Sequence, residues 1–238
     1  MENLTDRYTP ERVSRKLSKL KKAATNNKKS DIKKSIKLLF EAKKLNDKYY
    51  IDLILYVRLA KYLTEDKQFE KALQLMQTLT DKLSKYNYIE IYKKKHYTNM
   101  NTIFETIAYI YFHQNKIENA LFYKLQSIGY DLILQSMSYT VSSTFTLEEW
   151  IGWNSNRLYK SIFKSIDKQV KIQTLKILEE TYEEFKEKIF VCRKFYSDNP
   201  FIWSDELKSE PKEIKQLISE IIKIPQIISG KSQKLTFK

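Results

Sequence analysis

The sequence predicts an all-α fold, an antiparallel helix-pair α-solenoid capped by longer C-terminal helices. Three observations carry that prediction. The 238 residues include 3 Gly and 4 Pro, where average usage would give roughly sixteen and twelve. Hairpins and Gly-rich phosphate loops need residues that reach φ > 0, and this chain has almost none; neither the G-x-G-x-x-G nor the G-x-x-x-x-G-K-[ST] pattern occurs. Apolar residues recur at helical spacing nearly throughout. The predicted connectors are so short that successive helices must pack antiparallel.

The first helix is predicted to start at Thr9-Pro10, a cap residue followed by Pro at the first helical position. Val13, Leu17, Leu20 and Ala24 form its apolar stripe, and Thr25-Asn26-Asn27 breaks it. Ser30 can cap a second helix, from Asp31 to about Leu45. A third is expected over about Lys48 to Thr64 and a fourth over Lys67 to Lys85. A fifth begins after Tyr88 and reaches Gln114, with an interruption near Thr98. A sixth spans Ile117 to Met137, with Gly129 tolerated inside it or marking a kink.

Ser136 to Thr146 is rich in hydroxyls and β-branched residues and reads as a break. Thr146 and Glu149 form a capping-box pair opening a helix with Trp150, Trp153, Leu158, Ile162 and Ile166. The two tryptophans are expected to pack where the pairs meet the C-terminal helices. A long helix follows over Asp167 to Tyr196. Ser204-Asp205-Glu206 caps a short piece, Pro211 starts a last helix through Lys223, and Pro225 stops it. The expected organisation is one helical-repeat domain over 1–225, with pairs at about 10–45, 48–85 and 88–137 and C-terminal helices over about 146–223. Residues 226–238 are expected to be a flexible tail.

Composition limits the function classes. At 42% apolar and 13% aromatic residues the chain can bury a core. Cys192 is the only cysteine, so no intrachain disulfide is possible and a reducing compartment fits. Met1 to Lys22 is charged throughout and has no apolar segment of a secretory signal. No run approaches the roughly 18 apolar residues of a membrane span. The expectation is a cytoplasmic protein.

The helix pairs carry a repeated pattern. Their second helices open Asp31-Ile32-Lys33-Lys34-Ser35, Gln68-Phe69-Glu70-Lys71-Ala72 and Lys116-Ile117-Glu118-Asn119-Ala120. Each has an apolar residue three before a small one, and a small or apolar residue seven further on, at Ala42, Leu79 and Ser127. Leu59-Ala60 and Ile107-Ala108 precede the small anchors by twelve to thirteen residues. Small residues at a helix crossing let backbones approach, and larger neighbours fill the groove.

This pattern resembles the tetratricopeptide repeat, best over about residues 50–130. The matching residues are Tyr56, Leu59, Ala60, Leu63, Phe69, Ala72, Met76 and Leu79 in one pair. In the next they are Phe104, Ile107, Ala108, Tyr111, Ile117, Ala120 and Ser127. The chain departs from the family in having Ala for its Gly, in lacking its closing Pro (Ser84 stands there after one pair), and in anchors spaced by 37 and 48 rather than 34. The resemblance implies that Ile54, Val57, Lys61 and Thr64, with Thr102, Glu105, Tyr109 and Phe112, face a concave groove. Such a groove takes a partner peptide or helix, with Lys61, Thr102, Glu105, Tyr109 and Phe112 as binding residues. The family's carboxylate clamp for chaperone C-termini needs Lys and Asn where Val57 and Lys61 stand, so that partner class is not implied.

Charge suggests an alternative. The net charge is +14, and residues 1–48 hold 15 basic and 6 acidic residues. A second knot is Lys93-Lys94-Lys95. A nucleic-acid partner would use Arg12, Arg15, Lys16, Lys19 and Lys22. A solvated lysine face in an AT-biased genome is the competing reading. Arg is scarce, and the basic pair has only Tyr8 and Phe40 as aromatics, where a single-strand binder needs stacking rings.

Catalysis and cofactors find no support. His96 and His113 are the only histidines, and no metal-type His and Cys spacing exists, so no metal and no cofactor are expected. Glu179, Glu180, Glu183, Glu184 and Glu187 read as a solvated face with a Glu184–Lys188 pair, and Cys192 as a small buried hydrophobe. Tyr109, Tyr111, Phe112, Phe122, Tyr123 and Tyr130 crowd the least charged segment, and core packing accounts for most of them.

Overall fold

A computed structural model describes residues 10–49, 51–85, 93–137, 147, 157–199 and 210–237, with the backbone alone at 84, 85 and 93–98. The expectations at Thr9, Thr146, Glu149, Trp150, Trp153 and Ser204-Asp205-Glu206 lie outside the described residues. All regular structure among the described residues is α-helical. The chain falls into two compact units, Met1–Tyr86 and Asn87–Lys238.

The first unit holds α1 (Glu11–Asn27), α2 (Ile32–Asn46), α3 (Leu53–Glu65) and α4 (Phe69–Lys85). Each packs against the next. Pro10 is the N-cap of α1 and not its first residue, so α1 starts one position later than expected, and Thr25-Asn26-Asn27 form its last three residues. Thr25 Oγ1 and Asn27 Nδ2 bond back to the carbonyls of Lys21 and Ala23, which satisfies both side chains inside the helix. Asp31, not Ser30, caps α2, its Oδ1 accepting from the Lys34 N–H at 2.8 Å. Asp52 caps α3 in the same way through the Leu55 N–H, so α3 starts later than the apolar pattern suggested. The small residues Ser35, Ala42, Ala60 and Ala72 are fully buried beside Leu39, Leu59, Leu63, Met76 and Leu79.

One polar group is buried with this core. Tyr56, with no exposed surface, donates its hydroxyl to Asp47 Oδ2 at 2.8 Å and accepts from Lys82 Nζ at 3.0 Å. Lys43 Nζ lies 2.7 Å from the same carboxylate oxygen and 4.7 Å from the Tyr56 ring centroid. The group therefore ties the end of α2 to α3 and α4.

The second unit holds α5 (Lys93–His113), α6 (Ile117–Ser136), α7 (Arg157–Ser165), α8 (Lys168–Asp198), α9 (Lys212–Ile221) and α10 (Ile224–Ser232). The interruption expected near Thr98 is absent, and α5 is one helix. α6 is the centre of this unit and packs against α5, α7, α8, α9 and α10. It is buried on several sides, with Ala120, Leu121, Leu125, Ile128, Leu132 and Ile133 all fully buried, as a helix enclosed by neighbours requires. Asp167 caps α8 through the Val170 N–H at 2.9 Å.

Two details differ from the sequence reading. Pro225 does not end the helical structure; it sits in the first turn of α10, where a missing N–H costs nothing. Residues of the expected flexible tail are helical through Ser232, and Ile228 is fully buried. Gly129, read as tolerated or kinking, lies within α6 where α10 comes closest. A Cβ at this position would sit 2.9 Å from Pro225 Cα and 3.2 Å from its N.

The turns α3–α4 and α5–α6 are the same structure. After α3, the Gln68 N–H bonds to the Leu63 carbonyl and the Lys67 N–H to that of Thr64. After α5, the Lys116 N–H bonds to Tyr111 and the Asn115 N–H to Phe112. Both are Schellman closures, with Lys67 and Asn115 each at φ 59. Ala72 N–H then bonds to Gln68 O, and Ala120 N–H to Lys116 O. Every one of these residues in the first pair corresponds to one 48 positions later in the second. The α1–α2 turn is built differently, on N–H groups of Ser30 and Asp31 that both reach Asn27 O.

Left-handed φ costs an L side chain roughly 1–2 kcal/mol, and glycine's extra unfolded entropy returns part of that. Lys67→Gly should therefore stabilise the first unit by about 0.5–1 kcal/mol, read as a raised urea midpoint. Asn115→Gly should gain less, because Asn tolerates this conformation. A lowered midpoint for Lys67→Gly would show that the lysine side chain contributes more than its backbone strain costs.

Candidate functional site

Thr102, Glu105, Tyr109 and Phe112 fall on one stripe of α5, at spacings of three and four residues. All four are half-buried. The opposite side of α5, with Met100, Ile103 and Ile107, is buried, and so are Thr106 and Ala108 on the two flanks of the stripe. Tyr109 and Phe112 meet at His113, which is exposed. The Tyr109 ring centroid is 4.3 Å from that of His113, and Phe112 approaches the same ring edge-on at 5.9 Å. The stripe thus ends in three rings that hold one another in place.

The rest of the aromatic band serves another purpose. Tyr111 stacks on Tyr123 at 5.4 Å, and Phe104 stacks on Tyr123 and Tyr130 at 6.0 and 5.4 Å. Phe122 meets Tyr123 edge-on. These rings join α5 to α6, which is the packing role expected for most of the band.

Glu105 faces a partner that sequence reasoning missed. Lys124 of α6 is 1% exposed and places Nζ 3.9 Å from Glu105 Oε1. Burial lowers its pKa, against the opposing fields of Glu105 and Asp131. The signal was legible: Lys124 sits between Leu121 and Leu125 in the register of buried residues. An ammonium there must find an anion, and the nearest helix offers Glu105.

Lys61 is exposed on α3, in the first unit, together with Ile54, which is 71% exposed, and half-buried Val57. Thr64, expected on the same face, is buried and bonds to Ala60 O. The candidate partner-binding residues are therefore divided between the units, four in the second and Lys61 in the first.

Arg12, Arg15, Lys16, Lys19 and Lys22 are all exposed along α1. Arg15 pairs with Glu11 one turn before it. Next to this stripe is an open cleft of about 420 Å³ lined by Ser14, Leu17, Ser18, Lys21, Lys22, Thr25 and Arg58. Arg58 comes from α3, 33 residues from Thr25, whose Oγ1 its Nη1 reaches at 3.5 Å. Sequence spacing could not have joined these two. Lys21 is held by Asp52, and Lys28 by Glu65 at 2.7 Å.

Among the described residues no group of three or more His, Cys, Asp or Glu could hold a metal ion. Cys192 is fully buried, and burial, with Glu210 nearby, pushes its thiol up to about 12, so it stays protonated and inert. The acidic face of α8 is paired otherwise than its spacing suggested. Lys188 pairs with Glu220 of α9 at 2.7 Å instead of Glu184, and Glu183 pairs with Lys186. The charge knot Lys93-Lys94-Lys95 and His96 have side chains outside the described residues.

The described residues define an all-helical protein in which no helix is long and apolar enough to cross a membrane. Comparison with protein-family models, curated proteins and solved structures finds no match to this chain.

Proposed function

We propose that the protein is a non-enzymatic interaction scaffold built from antiparallel, tetratricopeptide-like helix pairs of a solenoid, which binds a partner peptide or helix on the faces of its first helices. The observation that carries this reading is the common construction of the α3–α4 and α5–α6 pairs. Their closures, their left-handed residues Lys67 and Asn115, and their buried small residues Ala60, Ala72, Ala108 and Ala120 coincide at one offset. In such pairs the second helix covers one side of the first, and the other side remains for a ligand. Thr102 and Tyr109 are assigned to that side of α5; Glu105, reached by Lys124 of α6, and Phe112, packed against the core of the unit, form its edge. Tyr109 is the anchor, because a ring already held by His113 loses little entropy on binding. Glu105, set by Lys124, supplies an orienting carboxylate.

The test is panning of a displayed library of random peptides against the whole protein. Enriched peptides should lose at least ten-fold in affinity to Tyr109→Ala, a loss of the size that a buried aromatic anchor gives. They should keep their affinity for an Arg12→Glu, Lys16→Glu variant. Circular dichroism melting separates lost contact from lost fold. Enrichment of no peptide, or equal binding to Tyr109→Ala, would overturn the proposal.

A second reading, a nucleic-acid partner at the basic N-terminal pair, is favoured by the exposure of the whole Arg12, Arg15, Lys16, Lys19 and Lys22 series beside the α1–α3 cleft.

A further inference from the structure

We infer that the cleft between α1 and α3 is a phosphate seat for the backbone of a duplex nucleic acid, with Arg58 as its principal ligand. The inference rests on the second reading above and adds a site to it. The cleft combines what a phosphodiester requires. Arg58 presents a planar fork of donors. Among the described residues no carboxylate pairs with it; its Nη1 makes a long hydrogen bond to the Thr25 hydroxyl, at 3.5 Å. Lys22 adds a second positive charge at the rim, and Ser14 and Ser18 are exposed hydroxyl donors one turn apart. The volume of about 420 Å³ lies in the range of small-ligand sites and admits a phosphate with its sugar.

The flanking carboxylates do not spoil the site. Asp52 is neutralised by Lys21 and Glu65 by Lys28. Both pairs also fix the wall of the cleft, since each links α1 or the turn after it to α3 or its cap. Lys22 belongs to the cleft and also ends the exposed series Arg12, Arg15, Lys16 and Lys19. A backbone seated at Arg58 therefore continues through Lys22 onto that stripe, where the one carboxylate of α1, Glu11, is paired with Arg15.

A duplex fits better than a single strand. Single strands are held by stacking on aromatic rings, and the cleft has none among its lining residues. A duplex is held by phosphate contacts alone when no base is read, so binding should be independent of sequence and steep in salt.

The experiment is fluorescence anisotropy of the full chain with two labelled DNA duplexes of unrelated sequence, between about 50 and about 200 mM NaCl. Both duplexes should bind equally. Arg58→Gln should weaken binding about ten-fold and reduce the salt slope by about one phosphate contact. Arg58→Lys should restore part of the affinity. Lys37→Gln, which removes one exposed charge from α2, should have a clearly smaller effect and controls for net charge. If Arg58→Gln matches Lys37→Gln, the seat is overturned while the second reading stands. If neither duplex binds at the lower salt, both fail. If a phosphoserine peptide binds in an Arg58-dependent way and the duplexes do not, the seat serves a phosphoprotein and this inference is wrong.

Discussion

Gly129→Ala lowers the stability of the second unit, whereas Gly230→Ala raises it. Both glycines lie inside helices, so helix propensity alone favours alanine at each by about 1 kcal/mol. Space decides the difference. At Gly230 an added Cβ meets nothing within 4 Å, and the propensity gain is kept. At Gly129 it meets Pro225 Cα at 2.9 Å and Ile228 Cδ1 at 3.3 Å. Ile228 can turn its end away, but Pro225 is backbone and cannot. α10 must move off α6, and both elements are central to the core of this unit. Overpacking of this kind costs about 1–3 kcal/mol; a clash with backbone at 2.9 Å falls in the upper part of that range, so after the propensity gain the net loss for Gly129→Ala is about 1–2 kcal/mol. In a unit of this size that lowers the melting temperature by about 2–8 °C. Gly129→Val, with more bulk and a poorer helix former, should lose more. Opposite signs for the two alanine variants in parallel thermal melts are the expected result. Equal signs would mean that α10 does not rest on α6 at Gly129.

The buried tyrosine of the first unit yields the second large effect. Tyr56→Phe removes a hydroxyl that donates to Asp47 and accepts from Lys82. A hydrogen bond to a charged group contributes about 1.5–3 kcal/mol, and Asp47 retains Lys43 as a partner. A loss of about 2 kcal/mol is expected.

The pH dependence sharpens the test. Burial raises the Tyr56 pKa first, and its bond to Asp47 and the charge of Asp47 raise it further. Unfolded tyrosine titrates near about 10. Below that value the hydroxyl is protonated in both states, and the full contribution is present. Above it the unfolded chain loses the proton while folded Tyr56 keeps it, so stability falls as pH rises. Comparing urea midpoints of wild type and Tyr56→Phe from neutral pH to above 10 isolates the tyrosine. The variant should start lower and decline less steeply. Parallel curves would show that Tyr56 gives up its proton as readily in the folded chain as in the unfolded one.

Much of the fold was legible in the residues. The positions of α2 to α6 and α8 follow from local rules. Asp31, Asp52 and Asp167 were available caps, and buried apolar positions return every three or four residues. The small anchors Ala60, Ala72, Ala108 and Ala120 were also legible, because only small residues suit a close crossing. Errors arose where local rules compete. Ser30 and Asp31 are both good caps, and the backbone chose the one whose side chain reaches Lys34 N–H. Pro225 reads equally well as a stop and as a first-turn residue, and the burial of Ile228 decided for the second.

The candidate site divides the same way. The stripe Thr102, Glu105, Tyr109 and Phe112 is a consequence of helical period and needed no coordinates. Lys124 under Glu105, Lys188 on Glu220 and Arg58 beside Thr25 depend on which helix lies next to which. Charge by itself placed the basic surface on the first helix pair, and the packing of α3 against that pair's second helix made part of it a cleft. The sequence by itself determined helices, their short turns and the faces they bury, because those depend on neighbours within a few residues. Tertiary packing determined the partners of Lys124, Gly129 and Arg58, because each meets a group far along the chain whose position no local periodicity encodes.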